Sequence, residues 1–374
     1  MIKRATQLVQ GTNRRDEKVT GAIVAPLNFS TAFRHPKMGE STGYDYSRAI
    51  EPTRELLEKQ LAKLEDGKYA LAVSSGMAAI SLVFSALLKS GEHFICSDDL
   101  YGGSFRYFNT LKNNYQIDYT TWDGTDIDDL IAQITPNTKL IWLETPSNPT
   151  MKIIDIKAVS ERVHSLYPDL LIAVDNTFLT PIYQNPLSDG ANLVVHSATK
   201  YLGGHNDILA GAVIVNDDEV ASLLQEQLIT TGQVLAPFDS WLLLRSLKTL
   251  HIRMAEHTKN AQTLADQLTA CSGIEKVLYA GVGGMISFYL ATGYDVDTFL
   301  QALKIGSFAE SLGGVETLIT VPSVQTHHDM PEEQRLALEI TDQLIRLSVG
   351  VEDVNDIEQD LLQAIKAAKV AIKD

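Results

Sequence analysis

The chain is poor in cysteine, with two in 374 residues, Cys96 and Cys271, far apart in sequence. That is too few for a disulfide framework and gives no cysteine-based metal site, so both are expected as buried thiols in a reducing compartment. No stretch approaches the roughly 20 apolar residues that a membrane-crossing helix needs. The opening segment "MIKRATQLVQGTNRR" has basic residues but no apolar core behind them, which argues against a secretory signal; a cytoplasmic protein is expected. Basic clusters are lacking too. Thirty-one Lys and Arg face 47 Asp and Glu, a net charge of −16, which speaks against nucleic acid or an anionic membrane as partner. There is no internal repeat, no low-complexity tract and no Gly-x-Gly-x-x-Gly turn opening the first helix, so a dinucleotide-dependent enzyme has no support. His327 and His328 are adjacent and His251 and His257 lie six apart; neither spacing suits a common helical ligand pair, and no metal site is expected.

What is present is an ordinary globular composition, 45% hydrophobic and 21% charged, in a chain too long for one small core. Between about 53 and 236, apolar runs ("HFICS", "KLIWLE", "LLIAVD", "NLVVHS", "GAVIVN") alternate with helical patterns at 53–66, 76–89, 126–134 and 155–167. Strands that are apolar along their whole length are buried on both faces, and helices between them imply right-handed crossovers and a mostly parallel sheet: an α/β domain. From 237 onward the pattern changes to one long amphipathic helix over 237–271, then shorter strands ("GMISFYLA", "LIRLSVGVE") and a closing helix at 353–371, which predicts a smaller α+β domain over 237–374. Residues 1–52 have no clear period and carry the patch "GESTGYDYSR", as expected of an arm that packs on its own domain or reaches a neighbouring subunit.

In open α/β sheets ligands sit at the carboxyl ends of the strands. Here "LLIAVD" ends in Asp175, "NLVVHS" runs into Ser197, Thr199 and Lys200, and "KLIWLE" leads into Asn148. In "AVSSGMAAISLVF", small residues precede an apolar helix; Gly76 permits close backbone approach, and the free amides at the helix start suit an anion. With two hydroxyls flanking the same crevice, that anion is read as a phosphate. Lys200 and Asp175 lie 25 residues apart. A lysine amine condenses with an aldehyde, and a carboxylate beside a pyridine nitrogen keeps it protonated, which together are the requirements of pyridoxal 5'-phosphate.

The motifs "SATKYLGGHNDILAG", "SSGMAAI", "DLYGGS", "ETPSNP", "VDNTF", "ESLGGVE" and "IRLSVGVED" run in order along nearly the whole chain. They resemble those of the Cys/Met-metabolism family of pyridoxal phosphate enzymes, whose fold is a large coenzyme domain with a smaller C-terminal one. The resemblance implies that Lys200 tethers the coenzyme and then shuttles protons, that Asp175 pairs with the pyridine nitrogen, that Gly76, Met77, Ser197 and Thr199 hold the phosphate, and that Tyr101 stacks on the ring and aids proton transfer. It implies that Tyr46 and Arg48 reach the phosphate of a neighbouring subunit, so that the protein is a dimer at least and a homotetramer built from two active dimers. Arg346 would grip the substrate α-carboxylate, a task for a bidentate donor, with Ser311 and Asn148 as helpers.

Gly103 in "YGGS", where methionine γ-lyases resemble "YGC", and Glu310, similar to a glutamate near the distal amino group of cystathionine or cysteine, argue against a methionine lyase. The remaining pattern, with its short "VLYAGVGGMISF", is most similar to bacterial cystathionine γ-synthases. The expected reaction is replacement of the acyl group of an O-acyl-L-homoserine by L-cysteine, with cystathionine γ- or β-lyase as the alternative and O-acetylhomoserine sulfhydrylase after it. Glu51-Pro52-Thr53, where the family usually reads Asn-Pro-Thr, and Val324-Gln325 depart from the family pattern; Glu51 is expected as a charge near an entrance.

Overall fold

A computed structural model of the chain describes residues 3–11 and 21–370. Of the arm expected at 1–52, residues 1–2 and 12–20 lie outside the described residues, as do 371–374, the first of which is the last residue of the expected closing helix. In chain order, α1 (Arg4–Gln10) lies within the arm and α2 (Pro52–Leu64) closes it. Then come β1 (Tyr69–Val73), α3 (Gly76–Leu87), β2 (His93–Ser97), α4 (Gly102–Tyr115), β3 (Asp118–Trp122), α5 (Ile127–Gln133), β4 (Thr138–Glu144), α6 (Ile156–Leu166), β5 (Leu171–Asp175), α7 (Thr180–Tyr183), β6 (Leu193–His196), β7 (Gly211–Val215) and α8 (Asp218–Thr231). The second half holds α9 (Pro237–Leu247), α10 (Leu250–Ala270), β8 (Ile274–Tyr279), β9 (Met285–Leu290), α11 (Val296–Ala302), β10 (Ser307–Phe308), β11 (Leu318–Thr320), α12 (Glu332–Ala337), β12 (Leu344–Ser348) and α13 (Val354–Ala367).

Seven strands form the first sheet in the order β1-β7-β6-β5-β4-β2-β3. All neighbours are parallel except where β7 meets β1 and β6, which it pairs antiparallel. The mostly parallel α/β sheet is as expected, and the five apolar runs are β2, β4, β5, β6 and β7. Their alternate side chains feed cores on opposite faces: Phe94, Trp142 and Val195 pack with Phe84 of α3 on one side, while Ile141, Leu143 and Val174 pack with Val159 and Val163 of α6 on the other. The helices start on chemistry visible in the sequence. Ser75 accepts the Ala78 amide at 3.0 Å, and Asp155 and Asp217 cap α6 and α8 in the same way.

Glu51 departs from the expectation of a charge at an entrance. It is 1% exposed and caps α2, its carboxylate accepting the Thr53 amide at 3.0 Å and the Arg54 amide at 2.7 Å ahead of Pro52 at the first helical position. A carboxylate at a helix N-terminus is satisfied by free amides and the helix dipole, so the replacement of asparagine has a local helical reason.

The single helix expected over 237–271 is two, broken at Lys248 and Thr249. The Ser246 carbonyl, which a continuing helix would offer to residue 250, instead accepts the Thr249 hydroxyl at 3.2 Å and an Arg253 Nη2 donor at 3.1 Å. Helix α9 and the first turns of α10 (Leu243, Leu247, Leu250, Met254) share a core with Leu57 and Leu61 of α2, under the first sheet, whereas the core beneath the second sheet starts on α10 at Ala261. The change of sequence character at 237 therefore precedes the change of core by about seven helical turns.

The second sheet has the order β10-β11-β12-β9-β8 and is antiparallel apart from the short β10-β11 pair. The two expected strands are β9 and β12, adjacent at its centre, and the closing helix is α13. Residues 21–50 contain no helix or strand; the arm folds back once, with Phe33 N bonded to Asp45 O (3.0 Å) and Ser47 N to Thr31 O (2.9 Å), and most of its side chains are exposed. Among the described residues no helix is long and apolar enough to cross a membrane. Cys96 is buried and Cys271 half-buried, both as free thiols.

Candidate active site

The carboxyl ends of β4, β5 and β6 open into a cavity of ≈ 920 Å³, open solvent at its mouth included. Its lining brings together eleven of the thirteen residues singled out in the sequence: Gly76, Met77, Tyr101, Asn148, Asp175, Ser197, Thr199, Lys200, Glu310, Ser311 and Arg346. Two walls face each other. The first sheet and its loops supply the residues up to Lys200, and the turn before β11 and strand β12 supply the rest.

On the first wall, Gly76 and Met77 begin α3, where helix geometry leaves amides without intrahelical acceptors. A Cβ at Gly76 would lie 2.6 Å from Ser197 Cβ, so the missing side chain is what keeps the helix start against the β6 exit. Thr199 is held by Ala210, its hydroxyl accepting the Ala210 amide at 3.0 Å and donating to the Ala210 carbonyl at 3.1 Å. Asp175 ends β5 and accepts the Thr177 amide at 3.0 Å, while the Thr177 hydroxyl accepts the Ser197 amide at 2.8 Å. Burial raises the Asp175 carboxyl above its ordinary range, partly opposed by its bonds to Thr177 and by nearby His196.

Glu144 is the residue that sequence reasoning missed. It ends β4, directly opposite Asp175 in register. It accepts the Tyr101 amide at 2.8 Å, the Ser104 hydroxyl at 3.0 Å and the Trp142 indole N–H at 3.3 Å. Burial and the Asp175 charge beside it push its carboxyl up. The strand-end rule that found Asp175 applies equally to "KLIWLE" and was the signal available. Thr177 and Thr326 also line the cavity; nothing local in "PSVQTHH" marks Thr326. Gly103 does not line it but lies under Tyr101: a Cβ there would sit 2.4 Å from Tyr101 Cε1.

On the second wall Arg346 is 2% exposed, donating from Nη1 to Asn148 Oδ1 at 3.0 Å and from Nη2 to the Ser311 carbonyl (3.0 Å) and the Thr320 hydroxyl (3.1 Å). Its Nε has no partner. This is a buried cation held only by neutral acceptors, an arrangement whose electrostatic cost an anionic ligand would offset. Lys200 Nζ donates to Ser311 Oγ at 3.2 Å, and burial together with the Arg346 charge lowers its ammonium to about 8. Burial raises the Tyr101 phenol, with the Glu310 charge adding to it. Glu310 is exposed and borders both the cavity and an adjoining groove lined by Asn206, Asp207 and Leu209.

Tyr46 and Arg48 are not brought to this cavity. Tyr46 is 48% exposed; Arg48 lies over its ring, 5.5 Å from the centroid, and donates to the Ile229 carbonyl at 2.5 Å. Val324 is exposed, and Gln325 Oε1 accepts the Val321 amide at 3.0 Å, closing its own turn. Among the described residues no cluster of metal-ligating side chains occurs.

A lowered lysine amine, two adjacent carboxylates, Glu144 buried and Asp175 half-buried, and free helix-start amides in one cavity are the donor set of an aldehyde coenzyme that carries a ring cation and a phosphate. The comparisons agree. The model of the Cys/Met metabolism PLP-dependent enzyme family matches residues 5–366. The chain is 50% identical over 366 residues to the cystathionine gamma-synthase/O-acetylhomoserine (thiol)-lyase of Bacillus subtilis, covering 97% of this chain and 96% of that protein. It is 46% identical over 365 residues to the cystathionine gamma-synthase of Haemophilus influenzae, covering 97% and 98%. Its fold superposes on the crystal structure of cystathionine gamma-lyase from Lactobacillus plantarum complexed with L-serine with a TM-score of 0.95, at 38% identity over 99% of this chain and 100% of that one. The chain belongs to the Cys/Met metabolism family of pyridoxal phosphate-dependent enzymes, and pyridoxal 5'-phosphate is its cofactor.

Proposed function

We propose that the chain is a cystathionine γ-synthase, converting an O-acyl-L-homoserine and L-cysteine into L-cystathionine and the free carboxylic acid. The observation that carries this reading is the shared cavity of Lys200, Arg346 and Glu310 in a chain about half identical to relatives bearing that name. Lys200, Asp175, Ser197, Thr199, Gly76, Met77 and Tyr101 would hold the coenzyme. Bound there, it supplies an electron sink for charge developing at the substrate's Cα. Arg346, a buried guanidinium that lines the cavity and meets only neutral acceptors, receives the α-carboxylate. With its ammonium lowered to about 8, Lys200 is partly neutral near physiological pH, so Nζ takes the Cα proton and later returns a proton to carbon. The Tyr101 phenol stays protonated and serves as a donor beside the reacting carbons. Glu310, at the junction with the groove, meets the ammonium of the incoming cysteine.

A second reading, cystathionine γ-lyase, is favoured by the superposition on the Lactobacillus plantarum lyase, and use of sulfide by the thiol-lyase activity in the name of the Bacillus subtilis relative. Purified protein is assayed side by side with O-acetyl- or O-succinylhomoserine plus cysteine, the same donors plus sulfide, and cystathionine alone. Faster formation of cystathionine than of keto acid supports the synthase; the reverse order makes it a lyase.

We also infer that each cavity is completed by Tyr46 and Arg48 of a second chain, in a homotetramer of two such dimers within the cytoplasm. The support is the exposed arm and the position of both residues away from their own cavity. Mixing Arg48→Ala and Lys200→Ala chains should restore activity that neither parent has; persistent inactivity of the mixture, with both proteins folded and dimeric, refutes the shared site.

A further inference from the structure

Helix α10 carries three buried polar residues on one stripe, spaced four and then three apart: Arg253, His257 and Asn260. The Arg253 guanidinium meets only neutral acceptors. Nη1 donates to the Tyr201 carbonyl at 2.7 Å, Nη2 to the Leu202 carbonyl at 3.5 Å and the Ser246 carbonyl at 3.1 Å, and Nε to the Thr249 hydroxyl at 3.2 Å. Tyr201 and Leu202 directly follow Lys200. Gly204 explains the second glycine of "YLGGH": its φ is +73°, and a Cβ there would lie 2.0 Å from Arg253 Nη1. The chain keeps a glycine where a side chain would evict the guanidinium.

One turn along α10, His257 is fully buried with its Nδ1 2.6 Å from the Val349 carbonyl, and its ring stands edge-on to Tyr201, centroids 5.2 Å apart at 78°. Burial keeps the imidazole neutral, so Nδ1 carries the proton it donates. Asn260 Nδ2 donates to the carbonyls of Gly350 (3.2 Å) and Glu352 (2.9 Å). Residues 349–352 are the exit of β12, the strand that carries Arg346. One rigid helix therefore grips the loop behind the cavity's amine with one side chain and the strand behind its guanidinium with the next two. A buried cation contributes little to stability over an apolar replacement, which leaves geometry as its use.

We propose that Arg253 is a positioning residue for Lys200, and that the stripe Arg253, His257, Asn260 sets the separation between the Lys200 amine and the Arg346 guanidinium. This rests on the reading of Lys200 and Arg346 given above. The test compares wild type, Arg253→Met, Arg253→Lys and His257→Leu as apoprotein and holoenzyme. Arg253→Met is expected to weaken apoprotein affinity for pyridoxal phosphate and lower kcat by about tenfold each, with KM within about threefold, and to move the pH midpoint of the visible absorption band. His257→Leu is expected to show the opposite split, KM raised about fivefold with the band and coenzyme affinity unchanged. Arg253→Lys, which reaches one carbonyl where the fork reaches several, is expected to fall between wild type and Arg253→Met. If Arg253→Met does not fold, Arg253→Lys decides: a shifted band and lowered kcat support the proposal, wild-type values overturn it. Arg253→Met matching wild type overturns it too, as does a His257→Leu protein with the same defects as Arg253→Met, which would mean general loosening. A wild-type protein that stays colourless with pyridoxal phosphate overturns the parent reading as well, and is thereby told apart from failure of the positioning role alone.

Discussion

The two walls of the cavity are built differently. On the first, the carboxylates and the Thr199 hydroxyl are pinned by backbone or by a neighbouring side chain: Asp175 by Thr177, Thr199 by Ala210, Glu144 by Tyr101, Ser104 and Trp142. On the second, Arg346 leans across to Asn148 of the opposite wall, Ser311 sits at φ +144°, a conformation non-glycine residues rarely adopt, and Glu310 is exposed. A coenzyme common to a family needs one fixed cradle, whereas substrates that differ in length and charge are told apart by the side that is less constrained.

The sharpest break in this comparison is Lys200→Ala, which should cost a factor on the order of 10³ or more in kcat and remove the visible absorption band, since on the proposed reading it takes away both tether and base. Arg346→Leu should act on the other wall, raising KM for the amino-acid substrate about a hundredfold with a smaller change in kcat, read by steady-state kinetics. It has a second signature. Because the Arg346 charge helps hold the Lys200 ammonium down at about 8, its removal favours the protonated amine, so coenzyme capture by the apoprotein, which needs the neutral amine, should shift its midpoint to higher pH. In the wild type that capture should rise as pH climbs through about 8; a profile flat from pH 6 to 10 contradicts the lowered amine.

Glu144→Leu should lower kcat about tenfold through a displaced Tyr101, while Glu144→Gln, whose amide oxygen still accepts the Tyr101 N–H, should keep most of the rate. Equal damage in both would assign the effect to charge. The smallest change is expected from Glu310→Gln: an exposed carboxylate contributes about 1 kcal/mol at most, so KM for cysteine should rise no more than about fivefold and KM for the acyl donor should stay put.

How far the sequence carries differs along the same lines. Strands β2 and β4 to β7 stand out because both their faces are buried. The two edge strands do not: β3, "DYTTW", has a single neighbour and mostly exposed side chains, and β1, "YALAV", although four of its five residues are buried, has alanines where the others mostly carry larger apolar residues. Helix α8 passes unnoticed although Asp217 caps it, because its apolar positions are spread among Glu, Gln and Thr. The first wall is readable from strand ends, and Glu144 escapes only because "KLIWLE" was read past its last residue to Asn148, whereas "LLIAVD" was read at its last residue. The second wall is not readable that way. Arg346 lies mid-strand in β12 and Thr326 in a turn, brought to the cavity by packing between sheets, so residues there enter by resemblance or not at all. The break at Lys248 and Thr249 is hidden for a related reason, since the guanidinium that takes the Ser246 carbonyl belongs to the following helix.

Strand β7 is the one member of the first sheet running against its neighbours. Its start, preceded by Ala210, therefore lies beside the finish of β6, and that is how both backbone groups of Ala210 come to clasp Thr199. A rearranged chain with new ends cut into the 205–210 connection would keep all seven strands and most of the core, yet would leave the clasp held by its hydrogen bonds alone, without the link that closes it. Such a variant is expected to fold and to hold the vitamin poorly, separating architecture from affinity within a single peptide link.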